Sequence, residues 1–141
     1  MTDGVRIPRD LADEMVEHCR TGRPNEACGM LAASDGVIVK VFRMTNEAAS
    51  PVRYKLVPEE QHAVNNTLYR EGWDLGGVFH SHTRTEAYPS PTDVGSPTED
   101  VPYIIVSLAK EPPSVRAFRI VKDNWMDSEG RIEEVEVHIT G

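Results

Sequence analysis

The fourteen residues from His80 to Asp93 constrain this chain more than any other stretch; they read HSHTRTEAYPSPTD and fit the pattern H-x-H-x7-S-x-x-D. Residues two apart on a strand share a face, so His80 and His82 can reach one point while Ser81 points away. An H-x-H pair by itself carries little, because neighbouring histidines often just sit at a strand edge. Ser90-Pro91-Thr92-Asp93 by itself reads as a helix start, with Ser as N-cap, Pro at the first helical position and Asp at the third. Joined at fixed spacing the two halves say more. A helix beginning at Ser90 holds Asp93 in its first turn, facing back toward the strand that carries the histidines. Two imidazoles and a hard carboxylate oxygen, with a fourth position left open, are the donor set of a catalytic zinc site.

The flanking segments supply elements that can build such a meeting point. From Pro8 to Arg20, Leu11, Met15, Val16 and Cys19 recur at helical spacing, with Gly22 as a stop signal. Ala27 to Ala33 reads as a short buried strand, Ser34-Asp35-Gly36 as a turn, and the alternating Val37, Val39 and Val41 as a return strand. Arg53 to Val57 is expected to form another short strand. Pro58 to Arg70 is expected to be helical, with Gln61, Val64 and Leu68 on one face. Leu75 to His80 is β-like and delivers the histidines at its end. Tyr103 to Ala109, Val115 to Val121 and Ile132 to Ile139 are three more expected strands. The expected fold is α+β in three layers, a mixed β-sheet packed between helices.

Composition narrows the classes. A chain of 141 residues fits one domain spanning 1–141 with one core. The net charge of −8 and the lack of a Lys/Arg cluster disfavour nucleic acid. The longest apolar run, near Tyr103 to Ala109, is too short to span a bilayer. The first residues, MTDGVRIPRD, contain no apolar signal region, and cytoplasmic residence is the expectation. Cys19 and Cys28 are not spaced as C-x-x-C and are expected to be free thiols.

The His80–Asp93 string resembles the signature of the JAMM (MPN+) metalloprotease family, whose members cleave peptide or isopeptide bonds at the C-termini of ubiquitin-like proteins. The resemblance implies one Zn2+ held by His80, His82 and Asp93, with water as fourth ligand. It implies that Ser90 steadies the reaction intermediate, and that the architecture is one shared with cytidine deaminases. A distant upstream glutamate is the family's general base, and Pro24-Asn25-Glu26-Ala27-Cys28-Gly29-Met30-Leu31 is similar to its P-x-E-x-C-G-x-L segment, which points to Glu26. Glu47 and Glu86 are weaker rivals without that strand-entry context. Thr45-Asn46, Ser50-Pro51 and Arg53-Tyr54 also look like bacterial members.

Two departures are informative. Many members have Pro directly after the second histidine, where this chain has Thr83, and Val57 stands where an acidic residue is common. Thr83 with the Thr85-Glu86-Ala87-Tyr88 run is similar to a bacterial branch that serves cysteine biosynthesis. That resemblance implies, as partner, a ubiquitin-like sulfur-carrier protein whose C-terminal Gly-Gly bears a cysteine to be released. The alternatives are trimming of a carrier to expose Gly-Gly, or a non-catalytic MPN interaction module. A zinc nucleobase deaminase is disfavoured, since its H-x-E and P-C-x-x-C signatures are missing. Cys28, two residues from Glu26, is expected to be a small buried residue, with lining the site as the alternative. His18, His62 and His138 lack ligand-spaced partners, and Trp73 and Trp125 are open between core and partner surface.

Overall fold

The computed structural model describes residues 4–95, 99–124 and 129–141. In chain order the elements are β1 (Val5–Pro8), α1 (Arg9–Thr21), β2 (Cys28–Ser34), β3 (Val37–Met44), α2 (Pro58–Glu71), β4 (Asp74–His82), α3 (Pro91–Gly95), β5 (Tyr103–Ser107), β6 (Ser114–Val121), β7 (Arg131–Val135) and β8 (Val137–Thr140). Among the described residues the strands form one mixed sheet in the order β7-β6-β5-β4-β2-β3-β1-β8. The fold is α+β, a mixed sheet flanked by helices.

Strand alternation divides the core between the two faces of this sheet. On one face Ala12, Met15 and Cys19 of α1 pack with Leu31 of β2, Phe79 of β4 and Ile104 and Val106 of β5. On the other, Val64 and Leu68 of α2 pack with Met30, Ala32, Val78 and Tyr103. The burial of Met15, fully removed from solvent, contributes about 1.5–3 kcal/mol. The helices end where their caps dictate. Gly72, at φ 72°, adopts the left-handed conformation that closes α2 with bonds from its N–H to Leu68 and Tyr69 carbonyls. The β2–β3 turn needs positive φ at both central residues, which Asp35 (51°) and Gly36 (79°) supply.

Three expectations are corrected by the chain's path. Arg53 to Val57 is not a strand: it makes a single β-bridge, Asn46 to Leu56, and is pinned by the Asn46 side chain, which accepts from Lys55 N–H and donates to the Arg53 carbonyl. Ile132 to Ile139 is not one strand. It breaks at Glu136 into β7 and β8, which lie at opposite edges of the sheet. One residue joining the two edges requires the sheet to curl until they meet. The Glu136 carbonyl accepts from Val5 N–H at that corner. Finally, Pro8 belongs to β1, and the first helix starts one residue later. β1 escaped the sequence reading because four residues carry too little alternation to stand out.

The central pairing of the sheet is antiparallel β2 against β4, with Cys28 opposite His80 and Gly29 opposite Phe79. The Phe79 ring lies over Gly29 and meets His18 of α1 edge-on at 6.0 Å. A Cβ on Gly29 would collide with that ring and with the Phe42 carbonyl. Gly29→Ala is therefore expected to destabilise the protein by about 1–3 kcal/mol through overpacking. Thermal denaturation checks this, and a midpoint equal to that of the wild type would contradict it.

Candidate metal centre

Ser81 sets the orientation of its two neighbours. Its Oγ accepts the Ala27 N–H at 2.8 Å, and its own N–H donates to the Ala27 carbonyl at 3.0 Å. With Ser81 tied to the entry of β2, alternation turns His80 and His82 to the opposite face. Both are buried, at 1% and 4% exposure. Their Nε2 atoms lie 3.3 Å apart.

Asp93 reaches the same point from the start of α3. The Ser90 N–H donates to Asp93 Oδ2 at 2.9 Å, and Ser90 Oγ accepts the Asp93 N–H at 3.1 Å, a reciprocal cap that fixes both side chains. Asp93 Oδ2 then lies 3.0 Å from His82 Nε2, and Oδ1 lies 3.3 Å from His80 Nε2. One ligand atom from each of the three residues falls within 4.8 Å of the others. The helix is five residues long, enough to present the cap.

Each histidine is held by a different contact. His82 Nδ1 is 2.8 Å from the Glu86 carbonyl, which can only accept, so Nδ1 carries the hydrogen and Nε2 its lone pair. The His80 ring is instead stacked on Tyr54, with centroids 4.4 Å apart and planes at 22°. His82 Nε2, His80 Nε2 and the carboxylate thus converge on one point, which holds shared protons in the metal-free protein and can hold a cation in their place. The electrostatics agree. Burial drives the Asp93 carboxyl up, but hydrogen bonds from both histidines outweigh it and hold it well below the usual carboxylate range. Burial lowers His80, whereas His82 is raised because its bonds to Asp93 and Glu86 overcome the same burial. Two imidazoles and a carboxylate converging in this way fit a tetrahedral zinc site with one open position.

Glu26 lies just before β2, with its N–H bonded to the Ser50 carbonyl and its carbonyl to Asn46 Nδ2. Its carboxylate is buried, and Oε1 has no hydrogen-bond partner. Burial pushes this carboxyl up to about 8; the Asp93 charge adds to the shift and His82 opposes it. Glu26 therefore feels the charges of His82 and Asp93. Glu47 and Glu86 are exposed, and Glu86 enters the site only through its carbonyl.

The remaining candidates separate cleanly. Cys28 is buried with its Sγ against the Thr45 carbonyl, and burial pushes its thiol up to about 12, with Glu60 and Glu26 adding; the converging group of His80, His82 and Asp93 does not include it. Both cysteines are free. His18 contacts the Cys28 and Met44 carbonyls, His62 is exposed, and His138 pairs with Glu136. Trp73 is half-buried against the α2 side of the core, and Trp125 lies outside the described residues. Val57 is the residue before α2 and offers no side-chain cap. Sequence reasoning missed Tyr54 as the stacking partner of His80 and the Glu86 carbonyl as the orienting group. An Arg-Tyr dipeptide was visible, but nothing in its spacing ties it to a strand twenty-six residues later.

Comparison with known proteins places the chain. Residues 8–121 match the family model of prokaryotic homologs of the JAB domain. The CysO-cysteine peptidase of Mycobacterium bovis is 41% identical over 120 residues, covering 82% of each chain. The desampylase of Haloferax volcanii is 34% identical over 96 residues, covering 63% of this chain and 69% of that one. Among solved structures, protein DSY2949 of Desulfitobacterium hafniense superposes with a TM-score of 0.83 at 31% identity, covering 96% of this chain and 92% of that one. A structure described as a JAMM metalloprotease-like zinc site in the proteasome and signalosome shares the fold, with a TM-score of 0.57 at 20% identity, covering 95% and 97%. The chain belongs to the prokaryotic JAB-domain family and is an enzyme of the JAMM metallopeptidase type.

Proposed function

We propose that the protein is a zinc-dependent peptidase that hydrolyses the bond joining a C-terminal cysteine to the Gly-Gly end of a ubiquitin-like sulfur-carrier protein, in the cytoplasm. The observation that carries the reading is the convergence of His80, His82 and Asp93 beside the buried Glu26 carboxylate, whose Oε1 has no hydrogen-bond partner. The finer substrate assignment is supported by the likeness to the CysO-cysteine peptidase over most of both chains. Likeness to a desampylase and to a probable TtuB-protein conjugate cleaving protease supports a small protein carrier more broadly.

His80, His82 and Asp93 would hold the zinc, with the fourth position left to water and substrate. Bound there, zinc supplies Lewis acidity, polarising a scissile carbonyl and lowering the pKa of water toward ~7. Glu26 acts on protons. A carboxyl raised by burial is a competent base near neutrality, taking a proton from the attacking water and returning it to the leaving amine. Ser90 Oγ already accepts the Asp93 N–H, so its own hydrogen is left to donate to the developing oxyanion. A Gly-Gly tail suits the approach, since it can lie along a strand edge without side-chain clashes.

Mass spectrometry of a carrier–cysteine adduct tests the reading. Loss of one cysteine mass, prevented by a chelator, is expected; an unchanged adduct in the presence of stoichiometric zinc would contradict it and favour a non-catalytic module. In the same assay Asp93→Asn and His82→Ala are expected to lose bound metal, whereas Glu26→Gln keeps it and loses turnover. Metal analysis beside the activity separates these, and a fully active Glu26→Gln protein would remove Glu26 from the mechanism.

Glu26 also predicts how the metal-free protein responds to pH. Its carboxyl is raised in the folded state, so the folded protein holds a proton that the unfolded chain releases above about 4.5. The contribution to stability is intact below that value and is lost as pH rises toward about 8. Chelated Glu26→Gln protein is therefore expected to melt progressively higher than chelated wild type between pH 5 and pH 8. A constant difference in melting temperature across that range would refute the buried-carboxyl assignment.

A further inference from the structure

The segment that stacks Tyr54 on His80 also walls a cavity. Arg53, Tyr54, Lys55 and Leu56 line one side of a half-open space of about 340 Å³, and Pro58 and Gln61 of α2, Val78 and Tyr103 line the rest. Val78 of β4 pairs with Tyr103 of β5 and stands two residues before His80 on the same face, about 7 Å along the strand. Tyr54 borders both compartments: one side of its ring covers His80, and the residue lines the cavity. At the small end of ligand sites, roughly 300–1,000 Å³, the space suits one amino-acid residue and not a folded partner.

Its charge is unusual for this chain. Arg53 and Lys55 are exposed cations in a protein of net charge −8. Among the described residues neither Arg53 nor Lys55 has a carboxylate partner, as is also true of Arg6, Lys40 and Arg70; what sets the two apart is that both line one small cavity. Two like charges at the rim of one small cavity repel each other until an anion joins them.

The geometry points to this cavity as the seat of the leaving residue, with Arg53 and Lys55 holding its free α-carboxylate. The inference rests on the peptidase reading above. Hydrolysis breaks the C–N bond, gives hydroxide to the glycine carbonyl and a proton to the departing amine. One residue spans at most ~3.6 Å, so a residue leaving from beside His80 enters the near edge of the cavity, and its carboxylate meets the cationic side that Arg53 and Lys55 line. A lysine linked through its side chain to a whole protein carries no free carboxylate there. The site thereby selects a carrier bearing one terminal residue over a carrier conjugated to a protein.

Binding tests this independently of turnover. A ubiquitin-like carrier ending in Gly-Gly-Cys, made as free acid and as carboxamide, is titrated calorimetrically into the zinc-loaded Glu26→Gln protein. The free acid is expected to bind ~10–100-fold more tightly, the size of a charge-assisted hydrogen-bond pair. Adding Arg53→Ala and Lys55→Ala is expected to erase that difference and leave carboxamide affinity unchanged. Equal affinities in the parent protein, or a double variant that weakens acid and amide alike, would overturn the assignment. A second arm follows hydrolysis of the free acid by the chain with Glu26 intact. A binding preference without cleavage keeps the pocket and removes the peptidase reading; cleavage without preference does the reverse.

Discussion

Two imidazole nitrogens and a carboxylate pointed at one spot organise everything else in this molecule. His80 Nε2, His82 Nε2 and the Asp93 carboxylate lie 3.0–3.3 Å from one another in a setting nearly closed to water. Such an arrangement is unfavourable without a positive charge between them, because buried donors and acceptors left unmatched are costly. The surrounding structure holds it in place. Ser81 anchors the strand from the far face, the Glu86 carbonyl fixes the His82 tautomer, Tyr54 braces the His80 ring, and Ser90 caps the turn that carries Asp93.

The sheet supplies the rigidity on which that depends. β4, which carries both histidines, lies inside the sheet between β2 and β5, with the two helices packed on opposite faces. Pairing Cys28 with His80 puts the segment before β2 beside the two histidines, which is how Glu26 arrives fifty-four residues from the nearer one. Burial at that entry shifts its carboxyl toward neutrality. One topological fact thus brings Glu26 to the point where His80, His82 and Asp93 converge.

Much of this was legible in the sequence, for identifiable reasons. The H-x-H spacing and the Ser-Pro-x-Asp cap are local, and local geometry reads directly as strand alternation and helix start. Both helices carried periodic apolar faces, and each is found within a residue of its expected bounds. What escaped was non-local. The break at Glu136 comes from sheet curvature, to which the alternation of Ile132, Val135, Val137 and Ile139 is blind. The segment from Arg53 to Val57 has strand-like composition, yet its position is set by the Asn46 side chain and it gains no full partner strand. Tyr54 and the Glu86 carbonyl act through contacts that no sequence spacing records.

Diffraction from crystals grown with zinc, collected at the metal's absorption edge, tests the central claim most directly. The account predicts one anomalous peak about 2.0–2.2 Å from His80 Nε2, His82 Nε2 and an Asp93 oxygen, with the fourth position open toward Glu26. Zinc coordinated by Cys28, or enclosed by four protein ligands, would contradict it.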